Sequence, residues 1–154
     1  VHLLAVAASG ADGEWTAVTT GRGTSSRPVS RSTLQAPDAA HRILSDLVNL
    51  RDRGLREPLP AALKAGEKYA DLAFRGVNEQ NALAKAGAEF SGRFGDVHDA
   101  AIVLVHGDGA PFEVLTDAIP ATDEALWSPD STRFGVVAQR LWSALLAHET
   151  MEHL

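Results

Sequence analysis

Between residues 38 and 54 the chain places Ile43, Leu44, Leu47 and Val48 on one face of a 3.6-residue period, which predicts an amphipathic helix. Pro37 and Asp38 supply its start signal and Gly54 its stop. Pro58 and Pro60 then forbid a further helix and force an extended arm. Helical spacing predicts two more helices, over 67–75 with Gly76 as terminator, and after Asn78 as cap. In the second of these, Leu83, Ala86 and Phe90 point inward and Gly92 closes it. Ser131 is the expected cap of a last helix that turns Phe134, Val137, Ala138, Leu141, Leu145 and His148 to one face, with Trp142 at its edge.

Alternation with a period of two occurs near the amino terminus. WTAVTT at 15–20 and residues 29–34 predict two short strands, joined by the polar GRGTSSRP into a hairpin. A lone hairpin is marginal in water, so it needs a following helix or further chain to pack on. Residues 1–8 read as a helix end by their alanines, with a buried strand as the alternative, and Ser9-Gly10 closes them. Ala11-Asp12-Gly13 and Gly107-Asp108-Gly109 predict turns. Residues 96–106 stay open, because IVLV suits a buried strand or a short buried helix equally. Pro111 can open a short helix to Ala118, and 120–129 is a loop that Trp127 pins to the core. The expected class is therefore α+β, helix-rich, with a small β-hairpin. Its organisation is a single domain or carboxyl-terminal fragment over 1–154, divided as helix end plus hairpin (1–35) and helical part (36–154).

A length of 154 residues with 45% apolar content suits one folded core. No apolar run approaches a bilayer span, and the first residues lack a basic n-region, so a signal peptide is not expected. The absent initiator Met and the apolar start suggest a piece of a longer chain. With no Cys, thiolate metal sites, disulfides and a Cys nucleophile are excluded, and an intracellular setting is the default.

The net charge of −6 argues against a free-standing nucleic-acid binder. Its distribution is uneven. Residues 20–56 hold seven Arg and three Asp, whereas 57–154 hold seven basic and fifteen acidic residues. Arg22, Arg27, Arg31, Arg51, Arg53 and Arg56 are the candidate contacts for phosphate or an acidic partner surface; the plain alternative is a solvated helix face.

Catalytic motifs are sparse. Gly21-Arg22-Gly23 lacks the GxxxxGKS/T pattern of a phosphate loop. His148-Glu149 begins an HExxH pattern, but position 152 is Glu and His153 falls off the face, so HETMEHL reads as a polar helix end. Asp96, His98, Asp99 and His106 could form a metal or catalytic site, and with His148 they define an alternative reading as a small metal-dependent hydrolase. More simply, Asp96 and Asp99 suit a helix start. No GxSxG elbow occurs, and Ala62, Gly66 and Leu83 stand two residues before Lys64, Lys68 and Lys85, so no D/ExK signature is present.

LSDLVNLRDRGLREPLP at 44–60 resembles the carboxyl-terminal domain of the exodeoxyribonuclease V gamma subunit family, RecC, in its actinobacterial form. That family reads LxxLVxLxxRGLxEPLP there. WTAVTTGRG resembles the family's strand, and RFGVVAQRLWSALLAHE resembles its closing helix, FGxLAxxLWxPLLxxE. The main departure is at Ala65-Gly66, where the family carries more polar or aromatic residues. The resemblance implies part of a degenerate PD-(D/E)xK restriction-endonuclease-like fold without catalytic carboxylates in this chain. It also implies a cytoplasmic RecBCD helicase–nuclease acting in recombinational repair of double-strand breaks. RecB- and RecD-like subunits and double- and single-stranded DNA would be its partners. ATP and Mg²⁺ would serve the partner subunits, with no cofactor in this chain. The third reading is a generic protein-interaction module.

Overall fold

The computed structural model describes residues 1–10 and 12–154. The turn expected at Ala11-Asp12-Gly13 lies partly outside them. Among the described residues the architecture is α+β. In chain order the elements are α1 (His2–Ala8), β1 (Thr16–Arg22), β2 (Val29–Gln35), α2 (Ala40–Gly54), α3 (Leu63–Phe74) and α4 (Glu79–Phe90). A 3₁₀ turn (Asp96–His98), α5 (Ala100–His106), α6 (Glu113–Thr116), a second 3₁₀ turn (Glu124–Leu126), α7 (Arg133–His148) and β3 (Glu149–His153) follow. Among the described residues no helix is long and apolar enough to cross a membrane.

The chain divides into two compact units, Val1–Asn49 with Ala144–Leu154, and Leu50–Ser143. The last residues join the first unit through the sheet. The three strands lie in the order β1-β2-β3, both pairs antiparallel. Thr16 faces Gln35 and Arg22 faces Val29 in one ladder, while Leu34 faces Glu149 and Ser30 faces His153 in the other. The hairpin therefore forms as expected, but β1 starts one residue later, at Thr16, and runs two residues further, absorbing Gly21 and Arg22. Its tip closes through Gly23 N–H to the Pro28 carbonyl (2.9 Å) and Thr24 N–H to the Arg27 carbonyl (2.8 Å). A Cβ at Gly23 would stand 2.1 Å from the Arg27 carbonyl oxygen, so this approach admits only glycine.

HETMEHL is the largest correction. It is not a polar helix end: Glu149–His153 is the third strand, and Ser32 Oγ donates to the Glu149 carboxylate. A hairpin that would be marginal alone gains a second ladder from the far end of the chain.

The second unit holds the larger core. Tyr69, Phe90 and Phe134 are fully buried, with Ala65, Ala82 and Ala86 between them. The small alanines let helices approach closely while the rings fill the space they leave. Four rings form a continuous line. Tyr69 meets Phe134 at 5.6 Å, Phe134 meets Phe112 at 5.1 Å, and Phe112 meets Phe90 at 5.4 Å, two of the three pairs edge-on. Such pairs contribute about 0.5–1.5 kcal/mol each beyond burial.

Residues 96–106 resolve to helix. Asp99 Oδ1 accepts from Ala101 N–H at 2.8 Å and starts α5, and Gly107, at φ +91°, ends it. Gly76 stops α3 at φ +79°, and Asn78 Oδ1 caps α4 from Asn81 N–H at 3.0 Å, both as the sequence predicts. Three local details differ. Helix α3 begins at Leu63 rather than Glu67. In α2, Val48 is exposed while Leu50 is buried. Ser131 does not cap α7: its N–H and hydroxyl donate to Glu79, and Thr132 Oγ1 accepts from Gly135 N–H at 3.1 Å. Trp127 is half-buried, with the guanidinium groups of Arg53 and Arg140 over its ring.

Candidate interaction surfaces

The six candidate arginines separate into two kinds. On the sheet, Arg22 and Arg31 lie on one face of the ribbon, because Arg22 pairs with Val29 and Arg31 with Thr20, two positions on. Arg27 stands in the tip, and all three are exposed. Thr20 and Thr33 share that face by register, which sets guanidinium and hydroxyl donors beside the exposed Val18 and Val29. Its acidic neighbour is Glu152, 3.7 Å from Arg31, with both side chains about half exposed. Water screens such a pair, and an anionic partner can displace it.

At the end of α2, Arg51 reaches its neighbour Asp52 at 3.0 Å and is largely exposed, as is Arg56. Arg53 is different. Its guanidinium binds Asp123 and Glu124 (3.2 Å), approaches Glu57 (3.8 Å), and lies 5.3 Å from the Trp127 ring. Arg140 stacks on the same ring at 5.0 Å. Glu124 is the centre of this network and is fully buried. Arg133 donates to both its oxygens, Nε at 2.9 Å to Oε2 and Nη2 at 2.9 Å to Oε1, and to Glu57 at 2.5 Å. Ala121 N–H adds a bond of 3.0 Å. Burial opposes the charge on Glu124, but the Arg133 hydrogen bonds, the Ala121 amide and the two guanidinium charges outweigh it and hold the carboxyl below its usual range. The Glu124 hydrogen bond in turn raises Arg133 against its own burial. Sequence periodicity had no means of finding this network, whose members are up to 80 residues apart in RDRG, DEALW and STRF.

The carboxylates of the candidate metal set have structural employment. Asp96, itself buried, accepts from Lys64 N–H (3.2 Å) and Ala65 N–H (2.7 Å), so it caps α3 from thirty residues away. That is why α3 starts a turn early although Ala62 offers no side-chain cap. Asp99 caps α5. Both line a cleft with His106, while His98 is exposed and His148 belongs to the other unit. Among the described residues no three His, Asp or Glu side chains converge as a metal set. Asp130 accepts from Tyr69 Oη at 2.5 Å and from Ser128 Oγ. Burial and the Asp130 carboxylate hold the Tyr69 phenol far above its ordinary range, so it is a neutral donor at all working pH values.

Residues 1–73 match the RecC C-terminal domain family. Over 149 residues, 97% of the chain, it is 34% identical to the "RecBCD enzyme subunit RecC" of Mycobacterium tuberculosis, in strains CDC 1551 / Oshkosh and H37Rv. It is 32% identical over 151 residues to the protein of that name in Mycolicibacterium smegmatis. Residues 1–73 belong to the RecC C-terminal domain family, and the similarity to RecC subunits extends over 97% of the chain. It spans about 13–14% of the length of these relatives, and no solved structure matches it.

The RecC motif LVNLRDRGLREPLP now has a physical reading. Its first Arg is solvated, its second is the network's hinge to Glu124, and its Glu is Glu57, the outer carboxylate of Arg133. The departure at Ala65-Gly66 is explained by packing. Ala65 is fully buried, and a Cβ on Gly66 would already touch the Trp142 indole nitrogen (3.5 Å) and Ala138 (3.7 Å), leaving no room for an aromatic side chain.

Proposed function

We propose that this chain is a non-catalytic region of a RecC subunit within a RecBCD-type helicase–nuclease, exodeoxyribonuclease V, where it scaffolds the complex and helps guide the strands. The observation that carries this reading is the 34% identity over nearly the whole chain to a protein named as a RecBCD enzyme subunit. Two features support its non-catalytic part. The clustered carboxylates Asp96, Asp99, Asp123, Glu124 and Asp130 already serve as helix caps, ion-pair partners and a tyrosine acceptor. No lysine follows a carboxylate at the D/ExK spacing. The subunit would act in the cytoplasm in double-strand-break repair, with RecB- and RecD-like partners using ATP and Mg²⁺. Its relation to the PD-(D/E)xK fold is part of the same proposal. The ribbon residues Arg22, Arg27 and Arg31, with Arg51 and Arg56, are its contact cations, whereas Arg53 holds the helix exit beside Arg51 and Arg56.

Affinity purification through a tag on the chromosomal gene that encodes this chain tests the proposal. It should recover RecB- and RecD-type subunits in near-equal amount, and their absence would overturn it. The purified chain should also leave linear DNA intact in Mg²⁺; cleavage abolished by a point substitution within the chain would refute the non-catalytic reading.

A further inference from the structure

Residues 94–132 carry eight Asp and Glu and no Lys or Arg. Five of the eight are the caps and partners described above; Asp108, Glu113 and Asp117 are exposed. Within this acidic stretch α5 presents apolar side chains to solvent, Leu104 at 87% exposure and Val105 at 50%. Val105 lines a cleft of about 400 Å³ between α5 and the proline arm. Leu59, Leu63 and Ile102 line it as well, and Asp96, Asp99 and His106 add polar groups to the lining. Leu104, three residues from the lining Ala101, extends the apolar stripe beyond the cleft's edge. The first residue of α3, Leu63, is 60% exposed beside it. Lys64, the adjacent cation, does not line the cleft and donates to the Phe94 carbonyl oxygen.

We propose that this cleft docks a polypeptide segment whose apolar anchors are flanked by Lys or Arg. The volume suits large side chains, and apolar residues standing in water are stabilised by being covered. The charge decides the class of partner. Asp99 and Asp108 bracket α5 with no Lys or Arg between them, so a phosphodiester backbone is repelled and a basic peptide attracted. The proposal needs only the cleft and its charges, and it stands or falls separately from the assignment of the chain to a helicase–nuclease.

A labelled synthetic helix with Leu at i, i+3, i+4 and i+7 and Lys on its flanks provides the probe, titrated into the 154-residue chain by fluorescence anisotropy. Leu104→Ser with Val105→Ser should weaken binding about tenfold without changing circular dichroism, since both positions are solvent-facing. Asp99→Ser with Asp108→Asn should weaken it a few-fold, and added salt should reproduce that loss; Ser keeps the α5 cap while removing the charge. Several results would overturn the proposal. These are no saturable binding at millimolar peptide, equal binding to the Leu104/Val105 variant, or equal binding of a Glu-for-Lys peptide. A dimer in light scattering that the same variant abolishes would make a second copy the occupant, and tighter binding of an oligonucleotide at these residues would reverse the class.

Discussion

Arg31 and Arg53 each face a glutamate, yet the two pairs differ in nearly every property that sets their worth. Arg31 and Glu152 stand 3.7 Å apart on an open sheet, each about half exposed. Arg53 is 23% exposed, meets a fully buried Glu124 at 3.2 Å, shares it with Arg133, and lies over the Trp127 ring. Solvent makes the first pair weak and replaceable. Burial makes the second costly to break, because any partner left behind is a desolvated charge. A pair of the first kind suits recognition, and one of the second kind suits architecture.

Substitutions can sharpen or break that contrast. The largest effect is expected at the network's centre. Glu124→Ala strands Arg133 and should destabilise the chain by about 3–5 kcal/mol in urea titration. A loss below about 1 kcal/mol would place the pair with the surface ones. Gly135→Ala should come next, since its Cβ would lie 2.8 Å from the Tyr69 hydroxyl and 3.0 Å from the Asp130 Cβ. A cost of about 1–3 kcal/mol by thermal melting is expected from overpacking, and rescue by Tyr69→Phe would confirm the contact. Asp96→Ala should cost about 1–2 kcal/mol by removing a cap and exposing Lys64 and Ala65 amides, with Asp96→Asn recovering part of it.

The pH dependence follows from Glu124. Its folded carboxyl titrates below its ordinary value of 4.5, so its stabilisation is present above that value and is lost as pH falls towards the folded one. The stability gap between wild type and Glu124→Gln should therefore narrow below pH 4.5; a gap constant from pH 7 to 3 would contradict the assignment. Tyr69 behaves oppositely, with stability intact below about 10 and lost only in stronger base. The smallest effect on stability belongs to the triple change of Arg22, Arg27 and Arg31 to Ala. It should leave the urea midpoint unmoved while weakening the salt-dependent association of the assembled complex with DNA or partner. Unchanged association at low salt would remove their contact role. A combined change of Arg51, Arg53 and Arg56 cannot serve that test, because Arg53 would unsettle the fold.

Local rules reached far along this chain. Asn78, Gly76 and Asp99 act on amides or turns within a few residues, so their roles were readable from spacing. The alternation of β1 and β2 and the stripe around Ile43, Leu44 and Leu47 were legible for the same reason. The six arginines were visible as cations but not sorted, since the partners that sort them lie up to about 120 residues away in sequence. Residues 102–105 could not be decided either, as a four-residue apolar run satisfies both periods. Within the fold the cap at Asp99 and the burial of Ile102 select the helix.

The sequence by itself determined the class of the fold, its main helices, the hairpin and the concentration of positive charge, because backbone sterics, capping and periodicity act over one or two turns. Only the tertiary structure decided that Glu149–His153 is a strand, that Asp96 caps a helix thirty residues earlier, and that Arg53 is locked among carboxylates while Arg22, Arg27 and Arg31 stay exposed. Those outcomes depend on burial and on hydrogen-bond partners that folding brings together, and a carboxylate's role follows from which amide or guanidinium it meets there.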